Sequence, residues 1–238
     1  EPKNISSFPF DSERILSSTS LLEKNELPKS LVVIGGGVIG CEFASWYDAF
    51  GVEVTILEAL PHILPMEDEA LSGGLRTLFE KRGIKIETGV KVEKIQPTKQ
   101  GVKVSLSEGT SVEAQWALVA VGRELNTTGI GLERTGVGKT PQGAIEVNEH
   151  MQTATPHIYA IGDITAKHML AHVASHQGIV AVEHALGNEN SVMHYHAIPS
   201  VVFTYPEVAS VGLTLKQALA QGFHAKIGSF PFQALGKS

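Results

Sequence analysis

The stretch from Leu31 to Glu42, Leu-Val-Val-Ile-Gly-Gly-Gly-Val-Ile-Gly-Cys-Glu, constrains the fold more than any other part of the chain. A short apolar run breaks into glycines and resumes with helical periodicity, which is the pattern of strand, tight turn and helix. Gly35, Gly37 and Gly40 satisfy G-x-G-x-x-G. The first glycine of such a motif permits the turn, the second lets a pyrophosphate approach the main chain, and the third lets helix and strand pack closely. The anion then rests on the free N–H groups of the helix start. A second apolar run, Val52 to Leu57, ends in Glu58, within a few residues of the spacing at which an acid holds an adenosine ribose. One glycine motif alone is weak, but strand, glycines, helix, strand and acid together specify a dinucleotide-binding unit.

The rest of the composition narrows the partners. At 238 residues with 42% hydrophobic and 18% charged side chains, the chain suits about one to two globular domains. A net charge of −6 and a pI near 5.9, without a basic run, argue against nucleic acid or an anionic membrane surface. No window approaches the roughly 20 apolar residues of a membrane span. Cys41 is the only cysteine, so these residues hold no internal disulfide, C-x-x-C pair or cysteine-based zinc site. The chain begins at Glu1 and stops at Ser238 in mid-pattern, and is expected to be a piece of something longer.

Taken in order, residues 1–29 are polar and punctuated by Pro2, Pro9 and Pro28, a connector with one short helix from Ser20 to Lys24. Residues 30–147 are expected to form the nucleotide-binding domain. After the glycine turn, Ile39, Phe43, Trp46, Tyr47 and Phe50 lie three or four apart and Gly51 ends the helix. A second helix follows Glu67-Asp-Glu69 and stops at Gly83, and Lys85 to Thr88 reads as a third parallel strand. Alternating runs at Val90 to Ile95, Val102 to Leu106 and Ser111 to Gln115 predict a three-stranded meander where a crossover helix is the usual connection. Trp116 to Val121 is apolar throughout, fit for a strand buried on both faces. A glycine-rich loop then precedes residues 148–190, with a buried strand expected at Ile158 to Ile161 and a helix from Ala171 to Leu186. Residues 191–238 carry strands at Ser200 to Thr204, Val208 to Gly212 and Ala225 to Phe230, and a helix opened by a Thr214–Gln217 capping box. That last region has too little chain for a core of its own.

Several segments occur in a telling order. The glycine turn with Glu58, then Val121-Gly-Arg-Glu-Leu-Asn126, Thr153 to Asp163 ending Tyr-Ala-Ile-Gly-Asp, His168-Met-Leu-Ala-His172, and Ile198-Pro-Ser-Val-Val-Phe-Thr-Tyr-Pro-Glu207 resemble the flavoprotein disulfide reductases, and among them the dihydrolipoamide dehydrogenases. The resemblance implies an α/β fold: a Rossmann-like NAD-binding domain with a parallel sheet and meander crossover, the returning part of an FAD domain, and the start of an α+β interface domain. It implies NAD and FAD as cofactors and a homodimer. It also implies a lipoyl-bearing acyltransferase of 2-oxo acid dehydrogenase complexes as partner, and a cytoplasmic location. The family's redox cysteine pair, its first glycine loop and its His-Glu base have no counterpart in these residues, so the chain by itself is expected to be inactive. A soluble transhydrogenase, a mercuric reductase, or a non-catalytic nucleotide-binding redox sensor are the alternatives.

Carried over residue by residue, the resemblance puts Gly35, Gly37, Val38, Ile39, Gly40 and Glu58 on the dinucleotide. Glu58 would favour NAD, since its charge repels a 2′-phosphate. Glu42 would stand beside nicotinamide and flavin as the catalytic acid group, unpaired and solvated in the absence of the family's lysine. Val90 either touches adenine or fills core, and Gly122 is either a ligand contact or a plain turn. Asp163, Met169, Leu170, Ala171 and His172 would hold FAD, with Asp163 accepting hydrogen bonds from the ribityl chain and the helix start stabilising charge on the reduced flavin. His168, His172 and His176 recur every four residues, yet without an acid or cysteine beside them no metal site is expected there.

Overall fold

The computed structural model describes residues 1–107 and 109–236. The elements, in order, are β1 (Ile15–Leu16), α1 (Ser18–Leu22), β2 (Ser30–Ile34), α2 (Val38–Ala49), β3 (Glu53–Glu58), α3 (Glu69–Arg82), β4 (Lys85–Thr88), β5 (Val92–Pro97), β6 (Val102–Leu106), β7 (Ser111–Ala114), β8 (Trp116–Val119), α4 (Ala171–Ala185), β9 (Pro199–Val202), β10 (Val208–Val211) and α5 (Leu215–Ala220). Among the described residues the strands form three sheets. A five-stranded sheet runs β1-β8-β2-β3-β4, the meander runs β5-β6-β7, and β10 pairs with β9. All pairs of the large sheet are parallel, while the meander and the β9–β10 pair are antiparallel. This is the α/β class expected from the sequence.

Strand alternation explains how the large sheet is covered. Successive side chains point to opposite faces, so Leu31 and Val33 of β2 join Ile56, Trp116 and Leu118 on one side, against Cys41, Phe43, Ala44 and Tyr47 of α2 and Leu75 and Phe79 of α3. Val32, Ile34, Leu57, Ala117 and Val119 face the other way, against Ile95, Val102, Val104 and Leu106 of the meander. Both faces are therefore dry, and β8 and residues 31–34 of β2 can be apolar throughout. Helix ends follow local chemistry: Asp68 caps α3 through the Ala70 amide, and Gly83 ends it at φ 103°. Thr214 and Gln217 close a capping box on α5.

Four sequence expectations need correction. Residues 1–29 are more than a connector, because Ile15 and Leu16 pair in parallel with Ala117 and Leu118 and join Phe8 and Leu21 in the core. The short helix is Ser18–Leu22 rather than Ser20 to Lys24, since Ser17 and Ser20 form the capping box that starts it. Ile158 to Ile161 is not a buried strand: Tyr159 makes one bridge to Gln152 and Ile161 is 40% exposed, there being no second strand beside it among the described residues. Ala225 to Phe230 likewise forms no strand and lies largely exposed, with no ladder to complete.

The last region borrows its core. Val202 and Val208 belong to the cluster on the helical face of the large sheet. Ser45 Oγ of α2 accepts the Tyr205 amide at 2.9 Å, and Arg82 donates to the Tyr205 carbonyl while pairing with Asp48 at 2.6 Å. A separate small cluster of Met151, Val173, Val180, Ala181 and Met193 packs around α4.

Two outcomes test this packing. Phe79 is fully buried between α3 and the sheet, so Phe79→Ala should cost about 3–5 kcal/mol, read from chemical denaturation; a change below about 1 kcal/mol would contradict the assigned core. Burial, and then the charges of Glu58 and Glu42, push the Cys41 thiol from 9.0 up to about 12. The folded state thus holds a proton that the unfolded state releases, so this contribution is complete below pH 9 and is lost as pH climbs toward 12. Denaturation midpoints should fall across that window less steeply in Cys41→Ala, and a thiol reagent at neutral pH should label Cys41 only after unfolding.

Candidate functional site

The glycine turn sits where the order of the large sheet reverses. From β2 the chain builds outward through β3 and β4, whereas β8 and β1 lie on its other side. In open parallel sheets ligands bind at the carboxyl ends of strands at such a reversal, here the ends of β2 and β8. Gly35 takes φ 104°, and a Cβ on it would lie 2.5 Å from the Ala120 carbonyl oxygen; a Cβ on Gly40 would lie 1.9 Å from the Gly35 oxygen. Neither position admits a side chain. Gly37 differs, because a Cβ there would meet nothing within 4 Å. It is the N-cap of α2 and offers no side-chain acceptor, and the first helical bond runs from the Cys41 amide to the Gly37 carbonyl at 2.9 Å. The amides of Val38, Ile39 and Gly40 precede that bond, at the positive end of the helix. Open space, unused donors and positive potential fit a diphosphate.

Glu58 is tied into this turn more closely than a free strand-end acid. It is 7% exposed; its Oε2 accepts the Gly36 amide at 2.6 Å and its Oε1 the Leu60 amide at 2.7 Å. A carboxylate has about four acceptor sites, so capacity is left for ribose hydroxyls. Gly36, a free position in the motif, is itself restricted: a Cβ would lie 2.8 Å from Ile63 Cγ2 and 3.3 Å from Glu58 Cβ. Sequence reasoning passed over it, although a glycine in a free position was the available signal. Val90 donates its amide to the Glu58 carbonyl at 3.1 Å and packs half-buried against the meander core. Gly122 stands at φ 121°, exposed, its carbonyl accepting the Lys3 amide at 3.1 Å.

Glu42, expected to be unpaired and solvated, is neither. It is half-buried and its Oε1 accepts the Phe203 amide at 2.9 Å, because the segment after β9 lies along α2. Glu42 thereby holds the segment after β9 three residues along α2 from Ser45, which anchors Tyr205.

The segment named for a flavin gathers around the start of α4. Asp163 lies in a 3₁₀ turn, Gly162–Thr165, and its carboxylate pairs with Arg123 at 3.5 Å, which brings the loop after β8 beside it. Leu170 is the N-cap of α4 and supplies no side-chain bond, so the amides of the first turn near Ala171 and His172 are free of a side-chain acceptor. Met169 is 41% exposed beside them, and His172 Nε2 lies 3.0 Å from the Pro199 carbonyl. Gln177, which sequence reasoning treated only as part of a helix face, is fully buried. Its Oε1 accepts the Gly162 amide at 2.6 Å and its Nε2 donates to Tyr195 Oη at 3.0 Å. An amide on an otherwise apolar face was the signal. His168, His172 and His176 do not converge: His168 stacks on Tyr195 while His172 turns to Pro199. Exposed donors at one helix start and an acceptor-only carboxylate near it suit a flavin dinucleotide.

Comparison with known proteins accords with this arrangement. The family model described as pyridine nucleotide-disulphide oxidoreductase matches residues 4–178, and the dimerisation domain of the same family matches residues 198–238. A dihydrolipoyl dehydrogenase of Chlamydia pneumoniae is 48% identical over 238 residues, covering 100% of this chain and 51% of that protein. One from Bacillus subtilis is 43% identical over 242 residues, again covering 100% of this chain and 51% of its own. The chain spans about half the length of these curated relatives. Among solved structures, LpdA of Mycobacterium tuberculosis superposes with a TM-score of 0.89 at 36% identity, covering 94% of this chain and 49% of that one. The HOCl-induced flavoprotein disulfide reductase RclA of Escherichia coli superposes with a TM-score of 0.87 at 30% identity, covering 99% and 53%. With a family model matched over residues 4–178 and relatives 48% and 43% identical along the whole of it, the chain belongs to the pyridine nucleotide-disulphide oxidoreductases, an FAD- and NAD-using family of oxidoreductases.

Proposed function

We propose that this chain is the nucleotide-binding part of a dihydrolipoyl dehydrogenase that prefers NAD to NADP. The observation that carries the preference is Glu58, a carboxylate locked by two backbone amides beside an open glycine turn. Because it is held in place, it meets a ribose without reorganising, and a 2′-phosphate would set negative charge against negative charge. The name shared by the relatives suggests the substrate, a dihydrolipoyl group, carried in this reading on the acyltransferase of a 2-oxo acid dehydrogenase complex.

In this reading residues 1–29 lead into a nucleotide domain of residues 30–147, residues 148–190 return to the flavin domain, and residues 191–238 open the interface through which the protein dimerises. Hydride acceptance and electron relay from a dithiol are supplied by nicotinamide and flavin when bound. The chain's own residues bind and orient them. The α2 amides take the diphosphate, Glu58 takes the ribose, and Glu42, held by the Phe203 amide, fixes one wall of the nicotinamide end. Asp163 and the α4 start take the flavin side. Cys41 takes no part in electron transfer, since it is the only cysteine, is fully buried and carries a thiol pushed up to about 12. The dithiol partner cysteines therefore lie outside these residues.

Equilibrium titration should give tighter binding of NADH than of NADPH. Glu58→Gln, which keeps an oxygen for the Gly36 amide and removes the charge, should weaken NADH by about tenfold or more, as expected for a charged hydrogen bond, and narrow the preference. Equal affinity for the two nucleotides before substitution would sink the NAD assignment. In the full-length protein, dihydrolipoamide should reduce NAD; turnover only with another electron donor would remove the substrate assignment while leaving the nucleotide site intact.

A further inference from the structure

The far end of α4 carries a cluster that neither nucleotide site uses. His150, His184 and Glu189 each bring one ligand-capable atom within 4.8 Å of the other two. The imidazoles stack with centroids 4.2 Å apart and planes at 19°. Both are largely enclosed, with side chains 15% and 10% exposed, while Glu189 at 78% exposure leaves one side open to water.

The outer nitrogens of both rings already have partners. His150 Nδ1 lies 2.8 Å from the Ser191 carbonyl, and a carbonyl can only accept, so that nitrogen carries the hydrogen. In the neutral ring the lone pair then falls on Nε2, the atom that lies 3.7 Å from Glu149 Oε1. His184 Nδ1 lies 2.8 Å from the Tyr159 hydroxyl, which can accept its hydrogen in the same way and leave a second lone pair on Nε2. Neutral imidazoles with carboxylates this near offer donor atoms that a cation can bridge, although with ring planes 19° apart one ring must turn to share it. Histidines that bind metals are held in this manner, with the second ring nitrogen bonded to a carbonyl or similar group that fixes tautomer and angle.

We propose that His150, His184 and Glu189 form a binding site for a divalent transition ion, Zn²⁺ being the best match. Two imidazoles and one carboxylate are a borderline donor set suited to Zn²⁺ or Cu²⁺, whereas Ca²⁺ and Mg²⁺ require mostly oxygen. The 3.3 Å between His184 Nε2 and Glu189 Oε2 is the edge expected of a tetrahedron with bonds of about 2.0 Å. The exposed Glu189 side chain has the freedom to close the remaining gap, and Glu149 Oε1, 3.7 Å from His150 Nε2, or water completes the fourth position. The ion would tie the turn at residues 148–151 to the end of α4. The sequence conceals this, since His150 and His184 are far apart along the chain and resemble no ligand motif.

Zn²⁺ titrated into the intact protein under oxidising conditions, in competition with a chromophoric chelator, tests the site. The expected result is one equivalent of Zn²⁺ that is lost or weakened about tenfold or more in His150→Gln and in Glu189→Ala, with a rise in thermal midpoint on Zn²⁺ addition that these variants lack. Glu189 is exposed, so its removal leaves folding intact and the loss is attributable to ligation. His176→Gln, which removes one of the evenly spaced histidines of α4, should change nothing. Cu²⁺ in the same site should show hyperfine coupling to two imidazole nitrogens. Equal Zn²⁺ affinity in the parent and Glu189→Ala, or loss confined to His176→Gln, would overturn the proposal.

Discussion

The whole nucleotide end of the molecule depends on one close approach, that of the main chain at Gly35 to both Ala120 and Gly40. A Cβ at either glycine would overlap a carbonyl oxygen, so β2, β8 and α2 meet at a distance set by backbone alone. The sheet order follows from it, since β8 can lie against β2 while the chain departs through α2 toward β3. The Glu58 carboxylate then closes the turn from the opposite side by accepting the Gly36 amide. A hydrogen bond to a charged group is worth about 1.5–3 kcal/mol, which adds to the close backbone packing that holds the three-residue turn, Gly35 to Gly37. The acid is therefore part of the scaffold before it is part of a ligand site.

The same economy appears where the last region meets α2. Residues after Gly187 cannot enclose a core, and the structure supplies one by seating Val202 and Val208 on the cluster shared by α2, α3 and the sheet. Polar groups of α2 fix the register: Glu42 takes the Phe203 amide and Ser45 the Tyr205 amide. Arg82, paired to Asp48, reaches the same segment from α3. Apolar burial and these bonds share the attachment, the neutral Ser45 bond contributing about 0.5–1.5 kcal/mol net and those of the charged Glu42 and Arg82 about 1.5–3 kcal/mol before solvent screening at their exposed partners. The bonds decide which residue faces which.

How much of this could be read from residues alone depended on whether the signal was local. The βαβ unit, the meander and the α5 capping box rest on periodicity and caps within one stretch, and each stands within a residue or two of expectation. Ile15–Leu16 was missed because two residues carry no period; only their pairing with β8 makes them a strand. Ile158 to Ile161 and Ala225 to Phe230 have strand composition but no neighbouring strand here, and a strand exists only as half of a pair. At the site, the positions of Gly35, Gly37 and Gly40 followed from the motif. The partners of Glu42 and Glu58 did not, since a hydrogen bond to a main-chain amide leaves no trace in side-chain spacing.

The two proposed nucleotide regions are held relative to each other by packing more than by charge. Arg123 follows β8 at the reversal of the sheet, and Asp163 precedes α4; their contact at 3.5 Å is formed between side chains 36% and 43% exposed. At that exposure an ion pair is worth about 0–1 kcal/mol, too little to fix either segment by itself. Gln177 is a different matter. Fully buried, it holds the Gly162 amide on one side and Tyr195 on the other, and losing a buried partner would leave amide groups unsatisfied at about 1–3 kcal/mol each. The turn that presents Asp163 is thus fixed from α4, while the loop carrying Arg123 is fixed from β8 and from the Lys3 amide on Gly122. The alignment of the two sites is set by rigid elements on either side, with the exposed ion pair completing the contact between them.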